Sequence, residues 1–137
     1  MEYFVALLTT LALHLPALTG EPIPDVASLP AFEVADRLEQ AVFAHTGQRR
    51  GGELTTAAYL PRENVILVTA ALLDDVPELE AVLVHELVHW WQVRSDRAGP
   101  HGGQAWEDEA RAFENSWRRE HHLRLRPPLP PPNRRRP

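Results

Sequence analysis

Apolar residues crowd one stretch of this chain. Val82, Leu83, Val84, Leu87, Val88, Trp90, Trp91 and Val93 follow one another with few polar breaks. Wound into a helix, they cover nearly the whole circumference, the pattern of a buried central helix. Its start is marked by Asp75 as N-cap, Pro77 in the first turn and Glu78 three residues after the cap. No Gly or Pro interrupts Glu78 to Arg94.

The remaining pattern predicts a mainly helical α+β domain. Phe32, Ala35, Leu38, Val42 and Phe43 recur at three- and four-residue steps, which predicts a helix over Ala31 to Thr46, ended by Gly47. His45 sits in its last turn, where the helix dipole favours it. Leu54 to Leu60 and Val65 to Thr69 read as strands of a hairpin joined by Pro61-Arg62-Glu63-Asn64. Val65-Ile66-Leu67-Val68 has no polar alternation, so burial on both faces is expected. The milder first strand, ending in Tyr59 and Leu60, suits an exposed edge that could accept a peptide as an added strand. Trp106, Ala110, Phe113 and Trp117 form the stripe of a long helix from Gln104 to about Arg124.

Four segments emerge. Residues 1–20 are an apolar run, either the hydrophobic region of a secretory signal or an N-terminal helix packed on the domain. The first reading implies a secreted or periplasmic protein, the second a cytoplasmic one. Pro16 and His14 shorten the run, so stable membrane insertion is not expected. Residues 21–30 hold three prolines and read as a linker. Residues 31–125 carry the domain, and 126–137 form a Pro- and Arg-rich tail that cannot build a core.

Composition narrows the chemistry. At 137 residues the chain is one domain, large enough for a real core, and a net charge of −5 makes nucleic acid an unexpected partner. There is no cysteine, which excludes a thiolate metal site, a disulfide and a cysteine nucleophile. Any metal must be held by His and carboxylates.

Such ligands lie inside the central helix, at His85-Glu86-Leu87-Val88-His89. Residues i and i+4 of a helix share a face, so both imidazoles can bind one metal ion. Glu86, about 100° round the helix, is placed for a general base rather than a ligand. A His pair on so apolar a helix is desolvated and needs partners, and a metal supplies one. Gln92 shares the face and is a candidate for supporting the histidines or touching substrate.

A catalytic zinc takes three protein ligands. Candidates for the third are His101, Asp96, Glu107, Glu109 and Glu114. His101 and Asp96 lie in a loop, a poorer platform for a ligand. Glu107 and Glu109 flank the apolar stripe of the last helix on opposite sides, and periodicity does not choose between them. Gln92 and Ser95 stand where a metzincin needs Gly and His, which rules that class out.

Glu107-Asp108-Glu109-Ala110 resembles the Glu-x-x-Ala signature of gluzincin-type zinc metallopeptidases. The order helix, hairpin, His-Glu-x-x-His helix, Glu helix also looks like the minimal gluzincin core of small bacterial proteins. The resemblance spans roughly residues 31–117. It implies Zn²⁺ as cofactor, His85, His89 and Glu107 as ligands, and Glu86 as the base that takes a proton from water in hydrolysis of peptide bonds. It implies a peptide or protein substrate, and the compact domain suits a monomer. One position departs from the pattern. Many relatives carry an acid or amide four residues past the ligand Glu, to orient a ligand His. Arg111 stands there and cannot accept a hydrogen bond, so Glu109 or another carboxylate must substitute. Tyr59, His101 and Arg111 are candidate donors to a developing oxyanion. The competing reading is a catalytically inactive zinc-binding interaction domain.

Overall fold

The computed structural model describes residues 2–22, 26–47, 56–95 and 103–127. Chain order is helix α1 (Glu2–Thr19), strand β1 (Ala31–Ala35), helix α2 (Leu38–Thr46), strands β2 (Ala57–Leu60) and β3 (Val65–Thr69), then helices α3 (Val76–Arg94) and α4 (Gln104–Glu120). The fold is α+β and mainly helical, as the pattern predicts.

β3 is the centre of a three-stranded sheet in the order β1-β3-β2, with β1 parallel to it and β2 antiparallel. Val65 to Val68 are buried on both faces. Ile66 and Val68 enter the main core with α1 and α3, whereas Val65 and Leu67 pack with Leu38 and Val42 of α2. This is the expectation drawn from its unbroken apolar run. β2 is an edge strand by topology, yet Ala58, Tyr59 and Leu60 are buried. Leu54 and Thr55, expected in the same strand, lie outside the described residues.

The largest correction concerns Ala31 to Thr46. The stretch is not one helix: Ala31–Ala35 is a strand, and the helix begins at Leu38. β1 pairs in register from Ala31↔Val65 to Ala35↔Thr69. A buried central strand needs backbone partners on both sides, and this non-local demand outweighs a local three-and-four spacing. Gly47 does end the helix, in the left-handed region at φ 71°, with its N–H donating to the Phe43 carbonyl.

α1 packs against the core through Leu8, Leu11, Ala12 and Leu15, all buried. No helix among the described residues is long and apolar enough to cross a membrane. Part of the expected linker is fixed in place: Val26–Ser28 is a 3₁₀ turn whose Ser28 carbonyl accepts from Asn64 Nδ2 and Trp90 Nε1.

α3 begins as the sequence signals, with the Asp75 carboxylate accepting from the Glu78 N–H. α4 stops at Glu120, short of Arg124. His122 turns to φ 59°, and the Leu123 N–H closes on the Arg118 carbonyl at 2.8 Å, a Schellman-type end. Residues 123–127 then run back along α4. Asn115 clasps the Arg126 backbone at both N–H and C=O, and Arg111 Nη1 donates to the Pro127 carbonyl.

Candidate metal centre

The site lies where α3 meets α4. His85 is 6% exposed and Glu86 7%. The His85 and His89 rings stand one turn apart, centroids 5.0 Å and planes 73° from parallel. Glu107, in the first turn of α4, reaches both. Its Oε1 is 3.2 Å from His85 Nε2 and its Oε2 is 3.1 Å from His89 Nε2. One ligand atom from each residue lies within 4.8 Å of the others. A carboxylate in the first turn of a helix is also favoured by the helix dipole.

The outer nitrogens are tied down separately. Gln92 Nε2 donates to the Trp106 carbonyl at 3.0 Å and to Glu109 Oε1 at 2.8 Å. Both partners only accept, so the amide oxygen must face His89, and His89 Nδ1–H donates to it at 2.8 Å. On the other ring, His85 Nδ1–H donates to Glu114 Oε1 at 2.9 Å. Both histidines therefore turn Nε2 towards the common point. This is the arrangement in which metal-ligating imidazoles are oriented by an acceptor behind them. Two imidazole nitrogens and one carboxylate match the donor set of a catalytic zinc.

Glu114 is fully buried and ion-paired. Arg118 Nε donates to its Oε2 at 2.7 Å, Arg126 Nη1 lies 3.3 Å away, and Arg111 Nε is 3.5 Å from Oε1. Arg118, 2% exposed, uses its other end to grip both oxygens of Glu78 in the first turn of α3.

Electrostatics follow from these contacts. Burial pushes the His85 pKa down, but hydrogen bonds to Glu107 and Glu114 outweigh it and lift it to about 9. His89 is raised as well, with burial opposed by Glu107 and Glu86. Burial favours the neutral acid in Glu107 and Glu114. The two histidines nevertheless hold Glu107 far below the carboxylate range, and His85, Arg126 and Arg118 hold Glu114 at about 2. Without an ion, the carboxylates favour the charged form of both imidazoles, and the imidazoles favour the charged carboxylates. A divalent cation binding there replaces protons on Nε2.

The remaining candidates divide clearly. Glu107 joins the histidines, whereas Glu109 accepts from Gln92, which in turn faces His89. Glu114 serves as the carboxylate behind His85, the role that Arg111 cannot fill. Tyr59 donates its hydroxyl to Asn64 Oδ1 at 2.8 Å, within the hairpin turn. Arg111 is buried, spanning Glu114 and the Pro127 carbonyl. Asp96 and His101 lie outside the described residues. Arg118 and Glu78 were not singled out for the site by the sequence, although Arg118 stands four residues after Glu114 on the same helix face. No protein-family profile matches the chain, and neither curated proteins nor solved structures offer a match.

Proposed function

We propose that the protein is a zinc-dependent metallopeptidase in which His85, His89 and Glu107 hold the ion and Glu86 is the general base. The observation that carries this reading is the convergence of three ligand atoms within 4.8 Å, with both Nδ1–H groups already committed to acceptors. Zinc, when bound, supplies Lewis acidity to a carbonyl oxygen and makes water easier to deprotonate.

The chain's own groups do the rest. Glu86 follows His85 directly on α3, and its charge acts on both histidines without its being one of the three converging groups. It takes the proton from water as the oxygen attacks the peptide carbonyl, and passes it to the departing amine nitrogen. Burial of Glu86 keeps that proton from bulk water between the two transfers.

The test combines metal content with cleavage of a mixed peptide pool. Glu86→Gln is expected to keep one zinc per chain and lose turnover by roughly a hundredfold or more. His85→Ala is expected to lose both. Full turnover in Glu86→Gln would remove the base assignment. Stoichiometric zinc without cleavage of any peptide would leave a zinc-binding interaction domain.

A further inference from the structure

Glu78, Arg118, Glu114 and His85 form a continuous chain of charged contacts. It starts in the first turn of α3, crosses to α4 and returns to α3 at the metal centre. A buried arginine between two acids can be merely structural, a tie between helices. Its geometry here is more specific. The guanidinium presents Nε to Glu114 and both Nη atoms to Glu78, so one rigid plane is fixed at each end. Glu114 is fixed in turn, with Oε2 on Arg118 and Oε1 on His85 Nδ1. Rotation of that carboxylate would turn the imidazole and move Nε2.

We propose that Arg118 is a positioning residue for His85, acting through Glu114, with Glu78 holding Arg118 in place. This rests on the metal-site reading above. Lysine cannot replace Arg118, because one ammonium on a flexible stem does not span both carboxylates in a fixed plane.

The test is zinc affinity, measured by competition with a chromophoric chelator, in Arg118→Lys, Glu78→Gln and Glu114→Gln, and in each of the first two combined with the third. Loss of a partner behind a ligand histidine typically weakens metal binding by about 10–100-fold. Glu114→Gln is expected in that range, Arg118→Lys near the lower end at roughly tenfold, and Glu78→Gln at about threefold. In the Glu114→Gln background, Arg118→Lys and Glu78→Gln are expected to cost far less than in the unaltered protein, since the carboxylate through which they act is gone. The visible spectrum of the cobalt-substituted protein is expected to shift in Arg118→Lys, which a remote helix tie would leave unchanged. Should Arg118→Lys fail to fold, Glu78→Gln, at the more exposed end of the chain, carries the same test.

Wild-type zinc affinity in Arg118→Lys, or losses that multiply fully with Glu114→Gln, would overturn the inference while leaving the metal site standing. No zinc uptake by the unaltered protein would overturn both.

Discussion

His85 and His89 present the same atom to the same point, but their supports differ. Behind His85 stands a carboxylate, Glu114, fully buried and held by arginines. Behind His89 stands an amide, Gln92, whose nearest charge is Glu109, one hydrogen bond further out. Both supports fix a ring. Only the first brings negative charge into contact with it and raises its basicity as a ligand. The His89 support sets direction alone, through an amide whose orientation the Trp106 carbonyl and Glu109 decide. One arm is built for strength and the other for aim.

The sharpest way to break this comparison is to remove each support. Glu114→Ala leaves Arg118 buried with one acid partner lost and strands the His85 Nδ1–H. Breaking a buried ion pair from one side costs roughly 3–5 kcal/mol. Gln92→Ala strands the Nδ1–H of His89, at roughly 1–3 kcal/mol. Denaturant unfolding of the zinc-free proteins checks the order. Equal costs would mean that the carboxylate does no more than the amide.

A smaller effect appears when pH is varied, and it reads the His85 arm. His85 has its folded pKa raised from 6.5 to about 9. Its contribution to stability is therefore complete below 6.5 and is lost as pH rises through 9. Glu114 has its pKa lowered from 4.5 to about 2, so its contribution is complete above 4.5 and is lost as pH falls towards 2. The two shifts share the His85–Glu114 contact, so they are not added, and Glu107 on His85 and the arginines on Glu114 contribute the rest. The zinc-free protein is expected to be most stable between pH 4.5 and 6.5. Added zinc takes the place of the proton on Nε2 and is expected to abolish the alkaline decline. A melting-temperature series with and without zinc measures this. An alkaline decline that persists in saturating zinc would show that the ion does not displace that proton.

How much of this was visible in the sequence depends on how local each signal is. α3 declares itself through Asp75, Pro77, Glu78 and an apolar surface, all within one helix length. The His85 and His89 pair is legible because i and i+4 share a face. β1 is not, because Phe32 and Ala35 fit a helical step as well as a strand, and pairing with β3 some 30 residues away decides. Glu114 carried a signal that was open to two readings. It lies beside Phe113 within the stripe of α4, where a carboxylate needs a partner, but periodicity cannot tell a ligand from a support. Two full turns separate it from Glu107 on the same face, so one helix supplies both a proposed ligand and the group behind His85. Arg118 was hidden for a different reason: its second partner, Glu78, lies on another helix.

The smallest expected effect is the most discriminating. Glu109→Gln removes the only acid that touches Gln92 among the contacts described for it, yet keeps an oxygen able to accept from Gln92 Nε2. If the His89 arm sets direction alone, the amide stays oriented and zinc affinity changes by less than about threefold, against the 10–100-fold expected of Glu114→Gln. Both substitutions swap a carboxylate for an amide of nearly the same shape, so the difference between them isolates charge. A loss in Glu109→Gln as large as that in Glu114→Gln would mean that charge is transmitted through the Gln92 amide. The two arms would then be one device at two lengths, with the intervening amide acting as a relay of polarisation rather than an aiming bracket.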